Sequence, residues 1–360
     1  MTFPPPYHEI QHNVRSYTVG WFAPLPCERA AAEALRDEVH GPPKDFQRAP
    51  DDHLVYSWGK MGDHNVVLAS LEAGADGLAA AAQAATRMLA SFPAIRFGLL
   101  VGIGGAIPRF NREGDVFCRP KPDSDVRLGD VVVSQPDGNG GGVIQYDHYK
   151  ATKDGPQVKG FLNRPPPALL YGLAALQAKH EQSPSDVPNI IADLEKTNDY
   201  MVNERGYKHP GQKKDRLFYP SYVHPEGDLD CEDCSVQHEV ERKPRKSSDP
   251  KVHYGTIASG NVVVKNAEDR ENLIKHHPSA SKCLCYEMEA AGVMNNFPCL
   301  VIRGICDYSD SHKNDVWHNY AALVAAAFAK ELLRNMARGA VEEAVMAKDW
   351  MKDRGKPASL

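Results

Sequence analysis

The chain has 360 residues, of which 42% are hydrophobic and 25% are charged, and its net charge at pH 7 is −5. This composition is typical of a globular protein with a sizeable core, and it excludes a fibrous or wholly disordered chain. The small acidic excess argues against a general nucleic-acid binder, which would carry a basic surface.

The sequence also argues against a membrane protein or a secreted one. It has no run of about 18 apolar residues, so no membrane span is predicted. Residues 1–14 lack the basic start and the apolar segment of a signal peptide, and we predict a short disordered lead-in there. The eight cysteines are scattered along the chain, which favours reduced thiols and an intracellular, cytoplasmic location.

Hydrophobic periodicity predicts alternating strands and helices along the chain. In the first half these are a strand over 17–23, a helix over 27–40, a hairpin within 53–71 that turns at Gly62-Asp63, a helix over 76–92, and strands over 95–105 and 127–135. In the second half they are two helical pieces within 166–203, a strand pair within 252–266, helices over 267–276 and 286–296, a strand over 299–305 and a helix over 316–335. This alternation predicts an α/β fold, namely a three-layer sandwich in which helices flank a central mixed β-sheet.

One segment departs from the pattern. Residues 204–253 are dense in Pro, Lys, Asp and His and show little periodicity, so we predict a long, partly mobile surface insertion. It interrupts a single domain predicted over 15–337, and residues 338–360 are predicted to be a helix end and a tail.

The glycine-rich stretch VGIGGAIP, residues 101–108, follows an apolar run. We predict a strand that ends in a glycine turn, where backbone N–H groups could approach a ligand, although a tight turn beneath a helix would look the same. A dinucleotide fingerprint would need glycine in place of Ile107 and a helix in place of Pro108. A P-loop is excluded as well, because no Gly-Lys-Ser/Thr follows.

Three acids stand close to apolar segments near the C-terminal end. Glu287 and Glu289 are two residues apart, so on a helix they would diverge by about 200° and only one would face a site. The alternative is that they are acids favoured at a helix N-terminus. Asp307 follows the predicted strand over 299–305, at the strand end where open α/β sheets place ligand groups.

Several motifs together resemble one enzyme superfamily. VGWFAPLPCE, LLVGIGGAIP, RLGDVVVS, YEMEAAGV and VIRGICDYSD occur in the order found in the purine nucleoside phosphorylase and methylthioadenosine/adenosylhomocysteine nucleosidase superfamily. The chain is similar in particular to a divergent fungal branch, found alone or at the front of larger receptor-like proteins. The resemblance covers about residues 15–335 and implies the nucleoside phosphorylase-like fold.

The resemblance also implies roles for individual acids. Glu289 matches the glutamate that binds the ribose hydroxyls, and Met288 matches the methionine packed under the sugar. Asp307 matches the acid that acts on the purine at N7. Glu28 matches the glutamate that positions the attacking water in the nucleosidases. Of the four acids, the resemblance leaves Glu287 without a role, and we predict that it faces away.

Further positions are implied to contact the substrate. Gly104 and Gly105 lie in the glycine turn, and Asn261, Val263 and Val264 match the segment that lines the base. The family often stacks a phenylalanine on the purine in this segment, and this chain has valine, so the stacking partner must come from elsewhere or be absent.

The chemistry explains these residue types. Cleavage of an N-glycosidic bond builds positive charge on the ribose and negative charge on the departing purine. An acid near N7 neutralises the leaving group, so we predict that burial raises the pKa of Asp307. An ionised Glu289 would favour the cationic sugar of the transition state.

Water is the predicted nucleophile. Leu100 and Ile103 stand where the hexameric bacterial phosphorylases hold phosphate with an arginine and a serine, and two apolar side chains cannot hold a dianion. With Glu28 present as well, we predict a purine nucleosidase acting on adenosine or inosine. The alternatives are a phosphate-dependent phosphorylase and a non-catalytic nucleoside sensor.

The remaining predictions concern partners and cofactors. The resemblance implies a homodimer or larger homo-oligomer, because family members close their sites with a partner chain. No nucleic acid, no membrane and no cofactor is implied. Cys231 and Cys234 form a lone C-x-x-C with His224 and His238 nearby, which leaves zinc open, but the expectation is solvated thiols and no metal site.

Overall fold

The computed structural model describes residues 12–354 apart from 110–124, 139, 154, 227–229, 276, 278 and 280–281. Most of the predicted lead-in over 1–14 and the last six residues of the predicted tail therefore lie outside the described residues. None of the helices in the described ranges combines the length and the hydropathy that a bilayer span requires.

Ten strands form one mixed sheet and two more form a separate hairpin. The strands are β1 (Val19–Phe22), β2 (Glu38–His40), β3 (Ser57–Met61), β4 (His64–Ala69), β5 (Phe97–Ala106), β6 (Val131–Ser134), β7 (Val143–Gln145), β8 (Tyr149–Thr152), β9 (Gly155–Val158), β10 (Val252–Ser259), β11 (Cys283–Glu287) and β12 (Cys299–Asp307). The order in the main sheet is β11-β10-β6-β12-β5-β1-β4-β3-β2, with β7 beside β10.

Helices cover both faces of this sheet. They are α1 (Pro26–Ala34), α2 (Gly77–Ser91), α3 (Pro167–His180), α4 (Val187–Thr197), α5 (Ala267–Ile274), α6 (Ala290–Val293), α7 (His318–Asn335), α8 (Arg338–Glu342) and α9 (Ala347–Arg354). Helices α1, α3, α4 and α7 share one apolar core with the sheet, and α2 and α6 share a second core on its other face. The predicted three-layer sandwich with a mixed central sheet is confirmed.

Part of the sheet closes on itself. β5 pairs along its length with β12, and its last residues Gly105 and Ala106 also pair with Tyr286 and Cys285 of β11. β5, β12, β6, β10 and β11 thus form a ring. A Cβ atom at Gly104 would lie 2.8 Å from the carbonyl oxygen of Tyr286, so glycine is needed there for β11 to approach.

Glycine also lets the central helix approach the sheet. Helix α7 is buried along almost its whole length, and a Cβ atom at Gly304 in β12 would lie 1.9 Å from the carbonyl oxygen of Ala321. This close contact fixes the position of the segment between Asp307 and α7.

The predicted hairpin is confirmed, since β3 and β4 pair across Gly62-Asp63 and Gly62 has a positive φ of 58°, which glycine adopts readily. Four other predictions are wrong. The predicted helix over 27–40 ends at Ala34, and Glu38–His40 form β2 instead. The glycines of residues 101–106 continue β5 rather than forming a turn. Residues 252–266 hold one strand, because the chain leaves the sheet after Ser259. The predicted helix over 286–296 is the end of β11 and the short α6.

The described part of residues 204–253 has little regular structure, with short helical turns and one isolated bridge between Phe218 and Glu239. It nevertheless packs onto the sheet. Leu217 and Val240 are buried in the second core, and Phe218 is buried as well. The segment therefore covers part of the molecule that would otherwise be open to water.

Candidate active site

The carboxyl ends of β5, β11 and β12 converge on a cavity of about 210 Å³. Eight of the nine predicted site residues line it, namely Glu28, Gly104, Gly105, Val263, Val264, Met288, Glu289 and Asp307. The exception is Asn261, which is exposed and whose Oδ1 accepts a hydrogen bond from the backbone N–H of Leu78 at 3.1 Å. Asn261 thus holds the start of α2.

Glu28 lies in the first turn of α1, and its carboxylate is held by backbone groups on both sides. Leu25 N–H donates to Oε2 and Ile103 N–H donates to Oε1, each at 2.7 Å. Burial raises the pKa of Glu28 to about 7, although Arg303 opposes the shift. A carboxyl with a pKa near neutrality suits general-base chemistry.

Arg303, in the centre of β12, neutralises the acids around it. It is 1% exposed, and its Nη2 contacts Glu287 and also donates to Glu289 Oε2 at 3.1 Å. Its Nη1 donates to the carbonyl oxygen of Ile103 at 3.3 Å. Burial acts to lower the pKa of Arg303, but Glu287, Glu289 and Glu28 together raise it, so the guanidinium stays charged.

The prediction that Glu287 faces away is wrong. Glu287 is buried, lines the cavity and accepts hydrogen bonds from the backbone N–H groups of Glu289 and Ala290. The prediction assumed a helix, whereas Glu287 ends a strand and α6 begins only at Ala290. Glu287 therefore caps α6 and anchors Arg303.

Glu289 is the residue just before α6. Burial and the neighbouring Glu287 raise its pKa, and Arg303 counteracts them. Arg303 Nη2 and the backbone N–H of Gly77 donate to its carboxylate, and a carboxylate with about four lone-pair sites can accept further hydrogen bonds from a ligand in the cavity.

Two glycines of β5 make room for the acids. A Cβ atom at Gly102 would lie 2.4 Å from both Glu28 Oε1 and Arg303 Nη1. A Cβ atom at Gly105 would lie 2.4 Å from Asp307 Oδ1 and 2.2 Å from Ser309 Oγ. The glycines of this stretch therefore make room for the acidic side chains, and the backbone N–H of Ile103 between them holds Glu28.

Asp307 ends β12, and its carboxylate is fully engaged in hydrogen bonds. Lys313 Nζ donates to Oδ2 at 2.5 Å, Ser309 N–H donates to Oδ1 at 2.8 Å, and Cys306 Sγ lies 3.2 Å from Oδ2. Burial acts to raise the pKa of Asp307, but attraction by Lys313 and these hydrogen bonds outweigh burial and lower it. The predicted rise in the pKa of Asp307 is wrong, because Lys313 could not be placed from sequence.

The sequence reasoning missed several cavity residues, among them Lys313, His318 and Tyr286. Lys313 and His318 approach Asp307 from the loop before α7 and from its first turn, and burial lowers the pKa of His318. The only signal was the polar run that follows Asp307. Tyr286 supplies an aromatic ring in the cavity, and its hydroxyl donates to the carbonyl oxygen of Arg270 at 2.7 Å.

A second cavity of about 430 Å³ lies against the first, because Cys306 and Asp307 line both. Lys213, Arg216 and Cys231 form its outer wall. The described part of the segment over 204–253 therefore lines a cavity that Asp307 also lines.

Two groups of side chains could hold a metal ion in the described residues. In the first, Cys306, Asp307 and His318, the ammonium group of Lys313 already supplies a cation to the carboxylate. The second is His224, Cys231 and Cys234. Cys234 is buried and Cys231 is half-buried, so the expectation of solvated thiols is wrong.

Two curated relatives resemble the chain in sequence. It is 41% identical over 317 residues to a nucleotide-binding leucine-rich repeat (NLR)-like protein of the fungus Hyaloscypha variabilis, which covers 88% of this chain and 29% of the relative. An 89-residue stretch is 35% identical to the ATP nucleosidase Cap17 of Escherichia coli and covers 23% of this chain and 17% of that relative. The chain thus spans less than a third of either relative, and no protein-family model matches it.

Solved structures resemble it over almost their full length. Futalosine hydrolase of Helicobacter pylori superposes with a TM-score of 0.53 at 18% identity, over 88% of this chain and 97% of that one. The 5′-methylthioadenosine/S-adenosylhomocysteine nucleosidase of Neisseria meningitidis, in complex with methylthio-immucillin-A, gives a TM-score of 0.52 at 17% identity, over 88% and 98%. The chain thus has the nucleoside phosphorylase-like fold that its sequence motifs predicted, and it is similar in structure to these nucleosidases.

Proposed function

We propose that the chain is a purine nucleosidase that hydrolyses the N-glycosidic bond of a purine ribonucleoside, with adenosine and inosine as the first candidates. One observation carries the proposal: a carboxyl with a pKa near 7, Glu28, faces the same cavity as the hydrogen-bonded carboxylate of Asp307. Hydrolysis needs one group to take a proton from water and another to give one to the purine.

Glu289 holds the sugar in this proposal. Its carboxylate accepts hydrogen bonds from the 2′- and 3′-hydroxyls, and Met288 lies beside it in the cavity wall. As the glycosidic bond stretches, the ribose gains positive charge, and the buried carboxylates of Glu287 and Glu289 favour that charge over the neutral ground state.

Glu28 acts as the base. The water oxygen forms a bond to C1′, and its proton passes to Glu28. Because Leu25 and Ile103 hold both carboxylate oxygens, Glu28 keeps a fixed orientation, which lowers the entropy cost of the step.

Asp307 and Lys313 supply the proton for the leaving group. The C1′–N9 bond breaks and its electron pair stays on the purine, which makes N7 more basic. Because Asp307 is ionised, the proton starts on Lys313, whose Nζ donates to Oδ2. It moves from Nζ to the Asp307 carboxylate and from there to N7, and the neutral amine of Lys313 then takes a proton from solvent. The pair thus transfers one proton without a free carboxylic acid in the resting protein.

Water is favoured over phosphate by the charge of the cavity. Five carboxylates line it, against the two cations Arg303 and Lys313, and each cation is already paired with an acid. The backbone N–H of Ile103, which could bind a phosphate oxygen, donates to Glu28 instead. A phosphate dianion would therefore enter a site in which acids outnumber cations.

The test is base release from a panel of adenosine, inosine, guanosine and ATP, followed by chromatography. ATP belongs in the panel because one relative is named as an ATP nucleosidase. We expect release at the same rate with and without phosphate, and ¹⁸O from labelled water in the sugar product. If base release requires phosphate, the chain is a phosphorylase and not a nucleosidase.

A nucleoside sensor without catalysis is the second candidate. The observation in its favour is that Lys313 lowers the pKa of Asp307 and keeps it ionised in the ligand-free protein. Asp307 therefore carries no proton to donate before substrate binds. Thermal shift with the same panel separates the two candidates. A sensor would be stabilised by nucleosides but release no base, and Asp307→Asn would leave its binding unchanged.

We further propose that a second copy of the chain completes the site and that the protein acts in the cytoplasm. Val262 and Val263 line the cavity and are 45% and 49% exposed, as expected of residues that a partner covers. None of the seven described cysteines is in a disulfide, which fits a reducing compartment. Light scattering of the purified chain tests the dimer.

A further inference from the structure

Three side chains from residues 224–234 meet at a point that the proposed reaction does not use. One ligand atom each of His224, Cys231 and Cys234 lies within 4.8 Å of the other two. On a tetrahedral zinc ion, with Zn–S of about 2.3 Å and Zn–N of about 2.0 Å, neighbouring ligand atoms are about 3.5–3.8 Å apart. The three side chains are therefore close enough to share one ion.

The C-x-x-C turn is held in place by Arg216. Its guanidinium donates to the carbonyl oxygens of both Cys231 and Cys234, and Cys234 N–H donates to Cys231 O at 3.3 Å. The backbone therefore fixes both sulfur atoms on one side of the turn.

The imidazole of His224 has more contacts than a neutral ring can satisfy. Its Nδ1 lies 3.0 Å from Pro225 O and its Nε2 lies 2.8 Å from Asp230 O. A neutral imidazole carries one N–H group, so only one contact is a hydrogen bond. The other nitrogen has a lone pair available to a metal, and a backbone carbonyl on the opposite nitrogen is the usual support of a histidine ligand.

A second histidine adjoins the cluster. His312 is 8% exposed, and neither of its ring nitrogens has a hydrogen-bond partner among the described residues. Its ring lies edge-on to that of His224, with centroids 5.2 Å apart, and Cys231 Sγ is 3.6 Å from its carbonyl oxygen. Its Nδ1 lies 3.6 Å from Asp310 Oδ1, beyond hydrogen-bond distance. A buried imidazole without a hydrogen bond is costly, and coordination would remove that cost.

We propose that His224, Cys231 and Cys234 bind a structural zinc ion and that His312 completes its coordination. Two sulfur and two imidazole ligands are the set that tetrahedral zinc prefers, and four protein ligands leave no open position for catalysis. Neither His312 nor His238 is among the three side chains whose ligand atoms lie within 4.8 Å of one another, but the ring of His312 adjoins that of His224, whereas His238 stacks on Tyr222.

The ion would join two parts of the chain. His224, Cys231 and Cys234 belong to the segment over 204–253, whereas His312 lies between Asp307 and α7 and directly precedes Lys313. Existing contacts already connect them, since His224 N–H donates to Ser311 Oγ at 3.0 Å and Asn314 Nδ2 lies 3.6 Å from Cys231 Sγ. A zinc ion would therefore hold the segment over 204–253 against the loop that carries Lys313.

The experiment measures metal content rather than activity, so its result does not depend on the proposed function. The full chain is purified without a metal-affinity tag or chelator, and elemental analysis is expected to find about one zinc ion per chain. Cys234→Ser and His224→Ala should each lower the zinc content about tenfold or more. His238→Ala and Cys27→Ser, which change residues outside the cluster, should retain it.

A second measurement covers the case in which a variant fails to fold. Cobalt added to the chelator-treated wild-type chain should give the visible absorption of a tetrahedral thiolate site, and zinc should displace it. Chelation should also lower the melting temperature of the wild type. Wild-type protein that contains no zinc, binds no cobalt and melts unchanged with chelator would overturn the proposal. If the His312→Ala variant retains as much zinc as the wild type, His312 is not the fourth ligand.

Discussion

Gly105→Ala should impair catalysis while leaving the fold intact. The added Cβ atom would lie 2.4 Å from Asp307 Oδ1 and 2.2 Å from Ser309 Oγ, whereas ordinary contacts begin near 3.4 Å. The carboxylate must therefore retreat by about 1 Å. Misplacement of a catalytic group by about 1 Å costs on the order of 10²-fold in rate, or about 2.7 kcal/mol of transition-state stabilisation.

The assay is kcat/KM for base release from the best nucleoside of the panel, with thermal unfolding of each variant measured alongside. Gly41→Ala is the matched control, because no atom lies within 4 Å of its Cβ position and its φ is not positive. We expect no change in that variant. A folded Gly105→Ala protein with wild-type kcat/KM would show that the position of Asp307 does not limit the reaction.

Three further predictions concern charges in the site. Burial raises the pKa of Glu28 to about 7, and a general base must be deprotonated to act. We therefore expect kcat/KM to rise with pH through 7 and to be about tenfold lower at pH 6 than on the plateau. A pH profile that does not fall below pH 7 would contradict the role of Glu28. Arg303→Met leaves two buried glutamates uncompensated, and we expect it to lower the free energy of unfolding in urea by about 3–5 kcal/mol. Arg338→Met is the control, because it breaks an exposed ion pair, and it should lower the free energy of unfolding by less than about 1 kcal/mol. Lys313→Met should lower the rate of base release at pH 7 by about 10²-fold and leave nucleoside binding measurable by thermal shift; an unchanged rate would exclude the proton transfer through Lys313.

Local pattern was sufficient for the elements that build the central layers. The apolar runs of β1, β5 and β12 and the alanine-rich stretch of α7 are long and periodic, and each forms the predicted element. Where the pattern was short, it misled. The stretch over 286–296 looked helical by composition, but its first residues belong to β11, which pairs with β10 and β5, because strand pairing depends on partners that are distant in sequence.

The order of motifs along the chain determined the superfamily fold and the list of candidate acids before any contact was known. The protonation of those acids was decided by the tertiary structure alone. Lys313 lowers the pKa of Asp307 and burial raises that of Glu28, and the C-x-x-C meets His312 only because the segment over 204–253 folds back onto the sheet. A pKa and a ligand set depend on distance and burial in space, and neither quantity can be read from spacing along the chain.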